Sequence, residues 1–348
     1  MTARLGALIV LLTLGAVVAF GLLALREGRS ATRLAAAQNA TVRAEGVYAA
    51  AAAAARERDL VYLALMQAPE QTGPIRPLIA GARTAGAFPS AVRAAVGSAV
   101  DFGPLDHATA DLDAMRAEVD AAIGATRDPA ATALADRWMA AATERVGQLI
   151  RMAGAIAAGA ETGDPAQRAR FAASFLAERF AFERAVLAGA AISGRPLPSS
   201  SRDALAVAIG GAAFAWQELA AAGIGGAFSD GTHAAVGRLD EQLTGVFEPL
   251  RRAMAAAALG DGSYPAGSEL WLERSGAILD AILQAGAAIG RDMAERVATA
   301  GGGKRGNAAI YAALALVALV LGLMALSSRR PPGSPVALPA PVPSEPGA

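Results

Sequence analysis

Cysteine is absent from this 348-residue chain, and histidine occurs only twice. The first absence excludes a disulfide scaffold, a zinc knuckle, an iron–sulfur centre and a thiol catalyst. The second leaves little from which to build a histidine metal site or a catalytic triad. Aromatic residues make up only 5% of the chain, and no segment alternates apolar and polar residues over a useful length. Both features argue against a β-sandwich or barrel. Net charge is missing too: 31 basic residues balance 31 acidic ones, which excludes a general nucleic-acid-binding surface. Lysine is reduced to Lys304, so every other base is arginine, which keeps its charge and forks onto planar anions.

What the chain has in quantity is apolar residues, 54% of the total, concentrated at its two ends. Leu5 to Leu25 reads LGALIVLLTLGAVVAFGLLAL without a charge. About 20 such residues cross a hydrocarbon core of about 30 Å. Ala308 to Leu326 is a second uncharged run, between Lys304/Arg305 and Arg329/Arg330. A cleaved signal peptide is the alternative for the first run. That run is longer than a usual signal core, however, and GLLALREGRS is a poor cleavage site. Positive residues flank both sides of both runs, so charge does not orient them. The simplest arrangement keeps the short ends in the cytoplasm and exports the long middle. The expected organisation is a cytoplasmic N-terminus (1–4), a transmembrane helix (5–25), a periplasmic helical domain (26–306), a second transmembrane helix (307–327) and a proline-rich, disordered cytoplasmic tail (328–348).

Breakers divide the middle into long helices. The first leaves the membrane and stops at Pro69; from Arg26 to Ala68 it would extend about 65 Å. Short helices at best fit the stretch with Pro74, Pro77 and Pro89. A helix follows with Asp106 as its cap. Asp128-Pro129 and Asp164-Pro165 each start a long helix, since proline suits the first turn. The former helix ends near Gly159 or Gly163, and the latter ends at Gly194. Serines 199–201 cap the next helix. Another runs from Ser229/Asp230 to about Leu259, and the last starts near Ser268. That last helix can continue into the second span, with the glycines at 301–303 as its weak point. The pattern predicts an all-α fold, an antiparallel helical bundle between two transmembrane helices.

Four stretches carry a family resemblance. They are ARERDLVYLAL with Glu57-Arg58-Asp59, FERAVLAGAAISGRPLP with Glu183-Arg184-Ala185, RDALAVAIGGAAFAWQELA with Trp216 and Gln217, and SELWLERSGAILDAI with Trp271, Leu279 and Asp280. In order and spacing, over about residues 40–300, they resemble the NIT domain, the nitrate- and nitrite-sensing domain of bacterial transmembrane receptors. The resemblance implies two stacked four-helix bundles, usually periplasmic, with arginines on separate helices holding the anion. There are departures. Asp59 stands where the family has glycine, and Ala277 stands where a basic residue often precedes the Ile-Asp pair, with Arg274 one turn earlier. The usual downstream signalling module is missing.

Nitrate is planar and singly charged, which suits a bidentate guanidinium. The anion ligands implied by the resemblance are Arg58 and Arg184, with Arg274 and Tyr62 as lesser candidates. Arg58 shares a helix face with Ala51, Ala54, Ala55, Tyr62 and Leu65; Arg184 lies on the stripe of Leu176, Phe180 and Leu187. The bland alternative is that each arginine pairs with a carboxylate. Glu57 and Glu183 directly precede them and so are not the obvious partners. Trp216 and Trp271 read as packing anchors, Arg145, Arg151 and Arg179 as solvated or paired, and His107 and His233 as surface residues. GGGKRG lacks the spacing of a phosphate loop, and GIGG at 223–226 follows a helix rather than a strand.

No nucleophile–base arrangement, cofactor motif or metal motif is present, so the chain is not read as an enzyme. The expectation is a bacterial inner-membrane sensory protein that binds nitrate, nitrite or a similar small anion. It would sit in lipid as a homodimer and report to a separate kinase or chemotaxis-type output protein. The alternatives are a membrane-anchored helical scaffold without a ligand, or a receptor remnant.

Overall fold

The computed structural model describes residues 2–68, 71–123, 129–158 and 164–327. Among them every regular element is helical and there is no strand, so the fold is all-α. The elements are α1 (Thr2–Met66), α2 (Ile75–Ala85), α3 (Ser90–Val96), α4 (Gly103–Ala122), α5 (Pro129–Ala158), α6 (Pro165–Ser193), α7 (Ser199–Ile224), α8 (Asp230–Asp240), α9 (Glu248–Leu259) and α10 (Ser268–Ser327). Short 3-10 and π segments lie at Gly97–Ala99 and Glu241–Phe247. The tail expected at 328–348, the Asp128 start signal and the Gly159–Gly163 end lie outside the described residues.

Local chemistry accounts for several boundaries. Asp164 caps α6 by accepting the Ala166 backbone N–H at 2.9 Å, with Pro165 in the first turn. The helix ends at Gly194, whose φ of 61° is left-handed and costs glycine little. Two expected caps are corrected. Asp106 lies inside the first turn of α4, bound to Arg93, and Pro198 rather than a capping serine precedes α7. The helix expected from Ser229 to Leu259 is interrupted by the π segment. Pro249 has no N–H to give the Gly245 carbonyl, and its ring crowds that group, so the turn before it widens. The glycines at 301–303 do not break α10.

The chain forms two compact units, one of Met1–Arg33 with Thr299–Ala348, the other of Leu34–Ala298. In the first, Leu11, Leu12, Leu22, Leu316 and Met324 are exposed. A Cβ at Gly322 would come within 2.8 Å of Thr13 Cγ2, so glycine is what allows that approach. Lys304 Nζ pairs with Glu27 Oε2 at 3.0 Å. Three helices are long and apolar enough to cross a membrane, Val10–Met66, Ser199–Ile224 and Ser268–Met324. The middle one, α7, was not expected on that basis; it packs along α6 and buries Leu205, Ala208, Ala212, Ala215 and Leu219.

The second unit holds two apolar cores. One gathers Val47, Tyr48, Ala51 and Ala55 of α1 with Leu105 of α4 and Val146, Leu149 and Ile150 of α5. The other joins Tyr62 and Leu65 of α1 to Trp138 of α5, Phe180 of α6, Leu205 of α7, Phe247 and Trp271. Alanine dominates both, and small side chains let helix axes approach closely. Cross-helix contacts give the directions. Glu45, Arg58 and Tyr62 of α1 meet Arg170, Glu178 and Gly189 of α6 in the same order, so α1 and α6 run parallel. Along α10 the order reverses: Arg184 meets Leu272, Arg170 approaches Gly286, and Glu45 approaches Gly290. The three helices share one long face, and the cavity described next lies along it.

Candidate functional site

Glu57, Arg58 and Asp59 are consecutive, and all are buried, with 1%, 0% and 4% of their surface exposed. Side chains at successive helical positions point about 100° apart, so burial of all three means that neighbouring helices cover more than half of α1 here, while Arg56, one position earlier, is exposed. Each of the three meets a different neighbour. Glu57 accepts from Arg83 of α2 at 2.8 Å and from Arg116 of α4 at 2.7 Å and 3.0 Å. Arg58 donates to Asp59 at 2.9 Å, to Glu178 of α6 at 2.8 Å and to Thr143 of α5 at 3.2 Å. Its guanidinium also sits 5.5 Å from the Phe182 ring centroid. Burial alone would lower the Arg58 pKa, but the Asp59 and Glu178 charges overcome that and raise it. The Asp59 carboxyl is pushed up by burial in spite of Arg58.

Glu183 and Arg184 of α6 divide differently. Glu183, 0% exposed, takes a two-point bond from Arg251 of α9 at 2.7 Å and 2.7 Å. Arg184 has no ion-pair partner among the described residues. Its Nη2 donates to the Leu272 carbonyl at 3.2 Å, and its buried Nε has no hydrogen-bond partner. Burial lowers its pKa, while the charges of Asp59 and Asp280 act in the other direction and that of Arg56 adds to the lowering. The backbone at both arginines is pinned by indole N–H groups: Trp138 donates to the Arg58 carbonyl at 3.2 Å, and Trp271 to that of Arg184 at 2.9 Å.

Arg184 faces a cavity of about 510 Å³ between α1, α6 and α10, with α5 behind it. Arg56, Asp59, Glu178 and Asp280 also line it, and Arg170 and Ser174 lie toward its other end. Arg170 is committed to Glu45 through a two-point bond at 2.7 Å and 2.8 Å and lies over the Tyr48 ring at 4.2 Å. Between these polar groups the wall is apolar, and much of it is alanine. Gln67, at another edge, has a buried amide oxygen without a partner. A second cavity of about 690 Å³ lies against Phe171, Phe175 and Phe214 between α5, α6 and α7. It lacks an unpartnered buried guanidinium.

The four residues singled out from sequence do not converge. Arg184 lines the cavity. Arg58 does not, being held by its carboxylates. Tyr62 packs on bare backbone: a Cβ at Gly189 would stand 2.6 Å from its ring. Arg274 is exposed on α10 and is not part of the wall. Arg145, expected to be solvated or paired with an acid, is instead buried, donating to the Gly86 carbonyl at 2.6 Å and to Thr109. Arg151 does pair, with Glu144 at 2.9 Å, and Arg179 lies 3.2 Å from Glu178. His107 and His233 are exposed. Arg56 was missed, although its register with Asp59, Leu60 and Leu63 on α1 was available as a signal. Among the described residues no cluster of His, Asp or Glu is arranged to hold a metal ion.

Compared with known proteins, the chain matches no family model, no curated protein and no solved structure.

Proposed function

We propose that this chain is a bacterial inner-membrane sensory protein whose helical domain binds nitrate, nitrite or a similar small anion in the cavity at Arg184. On this reading the domain is periplasmic, built as two stacked bundles of the NIT type, and lies between spans at residues 5–25 and 307–327. It works as a homodimer in lipid and reports to a separate kinase or chemotaxis-type output protein.

The observation that carries the reading is Arg184, a half-buried cation in the wall of a cavity, without an ion-pair partner among the described residues and with its buried Nε–H unmet. A buried donor left unmet costs about 1–3 kcal/mol, which an anion accepting from it would recover. The cavity also suits signalling. It is lined by α1 and α10, the two helices that carry the terminal apolar runs. An anion bound between them favours one setting of those helices over another, and only such a difference in affinity can signal. The anion's first contact is Arg184, with Arg56 beside it; Arg58 holds the wall together.

The test is calorimetric titration of the full chain in lipid nanodiscs with nitrate, nitrite, chloride and sulfate. Saturable binding of nitrate or nitrite, lost in Arg184→Gln, is the expected result. Absence of binding by any of these anions to a folded chain overturns the reading. One observation favours the second reading, a membrane-anchored scaffold. At Arg58 an internal carboxylate, Asp59, takes the place a bound anion would have had. A folded, dimeric chain indifferent to every anion is what that reading requires.

A further inference from the structure

The cavity is much larger than an inorganic ion. Nitrate has a volume on the order of two water molecules, about 60 Å³, whereas the cavity of about 510 Å³ falls among the sites that take organic ligands. It is also long. Arg184 and Arg170 both line it and are both on α6, and 14 residues of helix rise about 21 Å. Over that length α6 presents Ala173, Ala177 and Ala181, faced by Ala51, Ala52 and Ala55 of α1 and by Leu279, Ile282 and Leu283 of α10.

The charges along the wall are unevenly committed. At the Arg170 end the guanidinium is satisfied by Glu45 and Ser174, so that end offers no free cation to a second acidic group. At the other end Arg184 is unpaired, with Arg56 in the same wall. Asp59 and Asp280 flank that end and penalise a doubly charged ligand more than a singly charged one.

We propose that the cavity takes an organic monocarboxylate with an unbranched apolar body. Its carboxylate lies on Arg184 and Arg56, and its chain runs along the alanine wall toward Tyr48. This rests on the reading of Arg184 as the anion-holding residue and replaces the inorganic ion by an amphipathic acid. Apolar burial then adds to the ion pair, so affinity grows with chain length until the wall is filled.

The experiment is titration of the full chain in nanodiscs with sodium nitrate, acetate, hexanoate and octanoate, with empty nanodiscs as the reference. The expected result is at least a tenfold gain in affinity from acetate to octanoate, abolished in Arg184→Gln. Ala177→Leu, which narrows the apolar stretch, is expected to cost octanoate at least tenfold while leaving acetate unchanged. Ala52→Leu, at a half-buried position on the facing helix, is expected to do the same and serves if Ala177→Leu does not fold. Equal affinity across the carboxylates overturns the proposal, and so does octanoate uptake that survives Arg184→Gln, which would be partition into lipid. Nitrate binding with no carboxylate binding leaves the sensory reading standing and sinks this one. No binding of any anion sinks both.

Discussion

Glu57-Arg58 on α1 and Glu183-Arg184 on α6 are the same dipeptide in similar alanine-rich helices, yet the two arginines are used in opposite ways. Both glutamates are buried, and each is neutralised from another helix, Glu57 by Arg83 and Arg116 and Glu183 by Arg251. The arginines part company. Arg58 is enclosed and bound to two carboxylates. Arg184 is half-buried beside a cavity and, among the described residues, donates to a carbonyl but to no carboxylate; an unmet N–H is common to both, at Nη2 of Arg58 and Nε of Arg184. Asp59 makes the difference: it follows Arg58 and closes that site from within, whereas Ala185 follows Arg184. A Glu-Arg pair is therefore a way of crossing charges between helices. Whether its arginine is left over for a ligand depends on what the next position and the facing helix supply.

The sharpest way to break the comparison is to remove each arginine in turn. Arg58→Leu leaves Asp59 buried without an ion-pair partner among the described residues and Glu178 with Arg179 alone. Losing one partner of a buried pair typically costs about 3–5 kcal/mol. The expected outcome is a large fall in the thermal midpoint of the helical signal, measured by circular dichroism on the full chain. A loss below about 1 kcal/mol would show that Arg58 is not the node described. Arg184→Gln orphans no paired carboxylate and keeps a donor near the Leu272 carbonyl. Its expected cost is within about 1 kcal/mol, with anion binding lost in the same sample. Comparable destabilisation by both variants would erase the distinction.

Much of the frame was legible from local signals. The Asp164-Pro165 start and the Gly194 stop bound α6 because their causes lie within one turn, whereas the stop expected at Pro69 lies outside the described residues; the terminal apolar runs need only length and composition to be noticed. The π segment before Pro249 was less legible, because a proline can end, kink or widen a helix and neighbouring packing selects among these. The fate of each arginine was least legible. Arg58 and Arg184 both sit on apolar stripes, and nothing within a few residues of Arg58 says that Glu178 will lie 2.8 Å away. That contact exists because α6 runs parallel to α1, a consequence of the whole chain's path. Arg145 was misread for the same reason: its partner is a backbone carbonyl at Gly86, distant in sequence.

The smallest expected effect sharpens the comparison through pH. Burial raises the Asp59 carboxyl in the folded chain above its ordinary value. The native state therefore holds that proton more tightly than the unfolded chain does. Its contribution to stability is fully present below the unfolded pKa and is lost as pH rises through the raised folded value. Asp120 is the opposite case: Arg83 lowers its pKa, so its contribution is present at neutral pH and is lost as acid protonates it. Asp59→Asn removes the first term and leaves the second. Urea midpoints measured from pH 7 down to pH 4 are expected to show the wild-type chain gaining on Asp59→Asn as pH falls. At neutral pH the variant closes the gap, because it no longer carries a charge that burial disfavours. A gap that narrows toward acid would mean that Asp59 is held as a stable anion by Arg58, as an ordinary surface pair would be. The enclosed half of the comparison would then have to be redrawn.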